Sequence, residues 1–471
     1  MKLLNGKVWK KLISKDYNYV FNKETGFFAR WGETKEADPE KAPFPEILDL
    51  EISSGECSGD CKFCSPAGTL VDTPTGNQNI EKLFSGDSVL SYDLKTNKNV
   101  SNKIVETYCH NFIGKLICIE LNNGQILKLT PDHTVILKDG SEIMASKLTA
   151  ASEIISINMK IKRIYTENFE GKVYNFHCMP NENYFSEGVL VHNCYKDNGV
   201  NRESINMSFE QFKIIIDKMP WLTQIAFGIC DVDSNKDMIK MMEYAKIKSI
   251  IPNFTCNGNK VTTEFANKIS KICGAVAVSI VNKENSYNAI KKFTDAGMSQ
   301  VNVHYMLSQE TYDRAFKIID DMVSDSRLAK MNAIVFLQYK HKNLKSPFHS
   351  MVDVNKYRQL VDYATKKGVN YGFDSCSANI YLESVKGLPN FKQLEMAAEP
   401  CESFGLFSSY INCKGVFYPC SFCEGMGEWK EGINVLECKD FVKEVWNSDL
   451  LLKYQKISLQ NNRKCPFYDI N

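Results

Sequence analysis

Cys57, Cys61 and Cys64 stand in a CxxxCxxC spacing, and Cys194 directly follows Val191-His192-Asn193. Three thiolates on one short loop can bind three irons of a [4Fe–4S] cluster and leave the fourth iron open. A thiol is also a strong nucleophile toward a carbonyl, because even a small thiolate fraction reacts quickly. The two cysteine groups are linked in an unusual way. Deleting Cys64 through Asn193 joins Phe63 to Cys194, and the join again reads CxxxCxxC, now with Cys57, Cys61 and Cys194. A cysteine starts the removable segment and a cysteine follows it, so one protein has been written into the middle of another.

The segment and its flanks differ in pattern. Residues 69–160 read as short strands (TLVDT, SVLSYDL, KIVETYCH, KLICIEL, QILKLT, TVIL) separated by the turn signals PTG, NNG and KDG, which predicts an all-β unit. The flanks alternate apolar strand runs with helical runs, from ILDLEIS through FEQFKIIIDKM, QIAFGI and MIKMMEYAK to NYGFDS. Such repetition predicts an α/β fold of parallel strands with right-handed crossovers. A doubly wound sheet is its generic form.

Four groups in the segment resemble those of inteins: CSPAGTLVDTPTG at its start, LTPDHTVIL with Thr130 and His133, VYNFHCMPNENYFSEGVLV, and His192-Asn193 before Cys194. The resemblance covers residues 64–193 and implies a Hedgehog/intein fold, too short to hold an endonuclease. It implies that Cys64 attacks the Phe63 carbonyl, with His133 as general acid to the departing nitrogen and Thr130 holding the strained peptide. Cys194 then takes the acyl group, and Asn193 cyclises onto its own carbonyl while His192 donates a hydrogen bond to it. Two positions depart from the family pattern: Asn175 stands where Asp is usual, and Glu182 where His is frequent. Nearby His177 is either a substitute for them or a surface strand residue.

The host, with CSGDCKF-C after its first strand, resembles radical S-adenosylmethionine (SAM) enzymes. That resemblance implies a partial (β/α)₆ barrel with ligands at the C-terminal strand ends. It also implies a cluster held by Cys57, Cys61 and Cys194, with SAM chelated on the open iron and cleaved to a 5′-deoxyadenosyl radical. For SAM, IAFGICDVD offers Gly228, with Asp231 or Asp233 in place of a missing Glu; FTCNG offers Asn257 and Gly258; VSIV offers Ser279. His304 reads as a packed strand residue. A structural zinc site is the alternative for the cysteine loop.

Near the C-terminus, Cys401 and the spacing from Gly415 to Cys420 resemble the opening of a SPASM/twitch extension. Cys423 and Cys465 complete four thiolates for one auxiliary [4Fe–4S] cluster, with Cys413 and Cys438 spare and a zinc ribbon as alternative. The remaining cysteines, Cys376 among them, read as buried and inert. The expected domains are 1–63 and 194–395 for the barrel, 64–193 for the insert, and 396–471 for the extension. An electron donor and a substrate, a peptide or a small molecule, are the implied partners. A host that binds iron–sulfur or zinc without catalysis, its SAM site degenerate, remains open because the GGE segment is missing.

Removing 64–193 leaves about 340 residues, ample for an enzyme core with an appendage. Lys+Arg 57 against Asp+Glu 56 gives no argument for a nucleic-acid partner. The start, MKLLNGKVWKK, has no long apolar stretch, and no run approaches a membrane span. A cytoplasmic location is expected, so the 17 cysteines predict metal sites and buried thiols instead of a disulfide framework.

Overall fold

The computed structural model describes residues 2–54, 64–181, 183–193, 205–340, 348–396 and 398–470. Cys57, Cys61, Phe63, Glu182 and Cys194 therefore lie outside the described residues. The chain forms two compact units: Met1–Gly59 with Arg202–Lys342 and Phe348–Asn471, and Asp60–Asn201 with Asn343–Pro347.

The second unit is built of strands. Lys98–Leu121 and Ile161–Met179 run antiparallel along most of their lengths, from Lys103↔Met179 to Leu121↔Ile161. From sequence, KIVETYCH and KLICIEL are separate strands; here they belong to one. Gly114 between them does not break the ladder but pairs with Phe169, and its missing Cβ leaves room for the Phe112 ring, which a side chain would meet at 2.8 Å. Val71, Leu129, Val135, Phe176, Tyr184 and Val191 share the core.

A tight hairpin, Asn183–Ser186 with Val189–His192, closes the unit's C-terminal end. Its two loop residues, Glu187 and Gly188, have φ of 49° and 72°. That pair of positive angles is the type I′ pattern, whose twist matches the flanking strands. The hairpin fixes the register Asn183↔His192 and so sets where the last two residues of the insert lie.

In the first unit seven parallel strands lie across a sheet in chain order: Ile47–Glu51, Gln224–Gly228, Ile251–Cys256, Ala275–Ser279, Val301–Leu307, Ala333–Gln338 and Tyr371–Phe373. Helices such as Phe209–Asp217, Lys283–Asp295 and Val354–Lys367 connect them. Every crossover adds its strand on the same side. Right-handed connections then place the helices on one face, whereas a doubly wound sheet reverses its order midway. Alternate residues follow: Leu48, Leu50, Ile225, Phe227, Val301 and Val303 are buried in the core, while Asp49, Asn302 and His304 take the other face.

On the far edge of Ile47–Glu51, strand Ser408–Ile411 pairs in parallel, and Val416–Tyr418 and Ile433–Asn434 continue the sheet antiparallel. The cysteine-rich C-terminal segment thus extends the same sheet. A four-stranded antiparallel sheet, from Lys2–Asn5 to Phe28–Trp31, precedes it in the chain. That sheet packs Leu12, Tyr19 and Phe21 with Leu406 and Phe407, and it is absent from the elements expected from sequence. Among the described residues no helix is long and apolar enough to cross a membrane.

Candidate functional site

In the second unit, strand pairing gathers the residues with acyl-transfer chemistry. Strand Ile126–Leu129 ends just before Thr130, and Thr134–Ile136 pairs with Val189–His192 through Val135↔Val191. The turn between them therefore carries Thr130 and His133 alongside the end of the insert. Thr130 grips Cys64 from both sides: its Oγ1 accepts from the Cys64 amide at 2.8 Å and donates to the Cys64 carbonyl at 3.0 Å. The Thr130 amide donates to the same carbonyl at 2.9 Å.

His133 is fully buried, and burial lowers its pKa from 6.5 to about 4, only partly offset by the backbones of Cys64 and His192. Its Nε2 lies 3.2 Å from the His192 carbonyl. A carbonyl can only accept, so Nε2 carries the proton and Nδ1 keeps its lone pair. A neutral imidazole must take a proton before it can give one, which puts a base step ahead of the acid role expected from sequence. Because unfolded His133 titrates near 6.5, the native insert loses stability as pH falls from about 6.5 toward 4. In a splicing-disabled full chain, the His133 ring carbon resonance should titrate with a midpoint near 4; a midpoint near 6.5 would refute the buried neutral ring.

His192 and Asn193 are also buried. His192 Nδ1 is 3.1 Å from the Asn193 carbonyl oxygen and donates to it, and its Nε2 is 3.8 Å from Glu142 Oε1. The Asn193 carboxamide nitrogen has two acceptors, the Cys178 carbonyl at 3.0 Å and His177 Nδ1 at 3.2 Å. His177 is buried, not a surface strand residue. Asn175 is buried too, with its Oδ1 accepting from the Phe176 amide and the Tyr184 hydroxyl.

In the first unit the strand ends bring part of the proposed SAM set together. Asn257 Nδ2 donates to Asp231 Oδ1 at 2.8 Å, and Lys260 Nζ pairs with both Asp231 and Asp233, at 3.2 and 3.0 Å. Gly228 packs against Glu51, where a Cβ would come within 3.3 Å of the Glu51 Cα. Gly258 does more than turn the chain: with φ of 83°, it lies where a Cβ would be 2.7 Å from the Ser286 Cα. Ser286 Oγ donates to the carbonyls of Ser279 and Asn257. His304 is neutral, its pKa lowered to about 4 by burial against the pull of Asp374.

Among the described residues no three His, Cys, Asp or Glu side chains converge on a single metal ion. The C-terminal thiols nevertheless neighbour one another. Burial pushes the Cys420 thiol well up, and the proximity of Cys423, Cys376 and Cys401 pushes it further. Cys401 in turn feels Cys465. Cys376 belongs to this group although its sequence context marks it as inert. Its thiol is pushed to about 12 by burial, with Asp374 and Cys401 adding to the shift and a hydrogen bond from Lys340 opposing it. Lys340 also pairs with Asp374 at 2.8 Å and lies 4.3 Å over the Phe422 ring, two residues from Cys420. The Tyr468 hydroxyl donates to the Phe422 carbonyl, and Arg463 donates to that of Cys401. Cys423 Sγ donates to the Cys420 carbonyl at 3.0 Å. The one sequence signal for Cys376 is its place just past the end of the last parallel strand.

Residues 70–194 match the Pretoxin HINT domain family. A DNA gyrase polypeptide of Synechocystis sp. is 26% identical over 120 residues, which is 25% of this chain and 11% of that protein. This chain thus spans about a tenth of the length of the curated relative it matches. A bacterial intein-like domain from Clostridium thermocellum is 28% identical, covering 28% of this chain and 99% of that one, with a TM-score of 0.26. A DnaB intein from Synechocystis sp. is 14% identical, covering 28% of this chain and 97% of that one, with a TM-score of 0.25. The β-rich insert is an intein-like HINT domain.

Proposed function

We propose that the chain is a precursor that excises residues 64–193 and joins Phe63 to Cys194. The observation that carries this reading is the Asn193 carbonyl under the His192 donor, in the same unit where Thr130 grips Cys64. The Cys64 thiol attacks the Phe63 carbonyl carbon, and the C–N bond to Cys64 opens to a thioester. His133 takes the thiol proton on its free Nδ1 and delivers it to the Cys64 nitrogen, while Thr130 holds that peptide in place. The Cys194 thiol displaces the Cys64 sulfur, Asn193 cyclises to release the insert, and a sulfur-to-nitrogen shift leaves an ordinary peptide bond. Intact mass tests this directly: expression should yield a host shortened by the 130 residues of 64–193, whereas a chain staying at 53.6 kDa with both junctions intact overturns it.

For the joined host we propose a radical SAM enzyme. Its support is the position of the cysteine loop just after Ile47–Glu51, the first strand of a parallel sheet whose strands follow chain order. Cys57, Cys61 and Cys194 would hold one [4Fe–4S] cluster, which with SAM bound supplies a 5′-deoxyadenosyl radical for hydrogen abstraction. Asp231, held by Asn257 and Lys260, presents a fixed carboxylate at the strand ends, and Gly228 keeps the approach there open. Gly258 and Ser279 shape the same end of the sheet. The buried, protonated thiols near the C-terminus fit a second cluster by their chemistry, since soft metal displaces their protons on binding. Cys376, Cys401, Cys420 and Cys465 would hold it, leaving Cys423 to its backbone hydrogen bond. The substrate would be a peptide or a small molecule, and an electron donor would reduce the first cluster. Anaerobic reconstitution with SAM and a reductant tests this: 5′-deoxyadenosine formation supports it, and a loaded host that forms none is a binding protein.

A further inference from the structure

Cyclisation of Asn193 needs two things from its surroundings, a donor for the carbonyl oxygen and an acceptor for a carboxamide proton. His192 supplies the first, at 3.1 Å. The residue at the family's usual aspartate position cannot supply the second: Asn175 is an amide without useful basicity, and its Oδ1 already accepts from Phe176 and Tyr184. The Cys178 carbonyl accepts one carboxamide hydrogen at 3.0 Å but is too weak a base to remove it. The other hydrogen points at an imidazole nitrogen, His177 Nδ1, at 3.2 Å. Because that nitrogen accepts, the neutral ring carries its proton on Nε2. Both side chains are buried, so bulk water does not compete for the carboxamide.

We propose that His177 is a catalytic residue of the insert, the general base for Asn193 cyclisation. This rests on the splicing reading above. The electron pair of Asn193 Nδ2 forms a bond to the Asn193 carbonyl carbon, and His177 Nδ1 takes one Nδ2 proton. Charge gathering on the carbonyl oxygen is met by the His192 Nδ1–H. The bond from that carbon to the Cys194 nitrogen then breaks, and the nitrogen leaves as an amine with a proton from water. Nothing is oxidised or reduced. The Cys178 carbonyl, next to His177 on the same strand end, keeps the carboxamide turned so that its nitrogen faces its own backbone carbon.

The test uses the full chain carrying Cys64→Ala, in which only Asn193 cyclisation can release 194–471. His177→Ala and His177→Gln should each slow that release by about 100-fold or more, the usual range for losing a general base. Glutamine keeps a hydrogen-bond acceptor but cannot take the proton, so it separates chemistry from positioning. Release within about threefold of the parent in the glutamine variant overturns the proposal, and so does unchanged release in the alanine variant. In the chain with Cys64 intact, dithiothreitol-driven cleavage before Cys64 reports folding; if alanine abolishes it, the glutamine variant decides. Asn193→Ala in the Cys64→Ala chain separates the two failures, because release that persists there removes the splicing reading itself.

Discussion

Asn193→Ala is expected to stop release of the C-terminal segment completely while leaving thiol-driven cleavage before Cys64 in place; Cys64→Ala is expected to do the reverse. The two ends of the insert have different chemistry. At the N-terminal end the reacting atoms belong to Cys64 and Phe63, steadied by Thr130 and served by His133. At the C-terminal end they belong to Asn193, whose nitrogen is held by His177 and Cys178 and whose oxygen is held by His192. Removing the carboxamide removes the second nucleophile outright, so the loss should be total and not a slowing. Mass spectrometry of the two variants, with and without dithiothreitol, reads both outcomes. Wild-type splicing in either variant would contradict the assignment.

Iron content should divide by cysteine group with nearly as large an effect. The reconstituted, joined host is expected to hold roughly eight irons, four in each of two cubes. Cys376→Ala or Cys420→Ala should bring that to roughly four, whereas Cys423→Ala should leave it near eight. Cys376 rather than Cys423 is expected to matter because its thiol feels Cys401 and pairs with Lys340, while the Cys423 thiol is turned onto a backbone carbonyl. A host that never exceeds four irons, with zinc in its tail, would argue against the auxiliary cluster. Equal loss in the Cys376 and Cys423 variants would contradict the choice between them.

Much of the molecule is legible in the sequence where the signal is local. Strand–helix alternation predicts the parallel sheet because apolar periodicity follows which face is buried. The paired histidines and Asn193 are legible because their spacing within short segments carries the chemistry. Cys376 is not, since it lies 25 residues before Cys401 and joins the other thiols only through the packing of Lys340, Phe422 and Tyr468. The role of His177 stays open for the same reason: a strand sequence does not say which alternate residue faces Asn193 until the hairpin register is known. The single long strand Lys98–Leu121 is hidden because Gly114, a usual turn signal, pairs inside an unbroken ladder.

The neighbours of strand Ile47–Glu51 bear on the order of events during synthesis. Both of its sheet partners, Gln224–Gly228 and Ser408–Ile411, come later in the chain than the insert. When the ribosome has finished Asn193, the strand that leads into the cysteine loop has neither neighbour, whereas the insert already possesses all of its own strands. At roughly 5–20 residues per second, about 200 further residues mean a lag of roughly 10–40 s before the second neighbour exists. The insert can therefore fold and begin its chemistry on a nascent chain whose host sheet has not yet closed around that strand. Excision that keeps pace with translation would let the host assemble from an already continuous polypeptide.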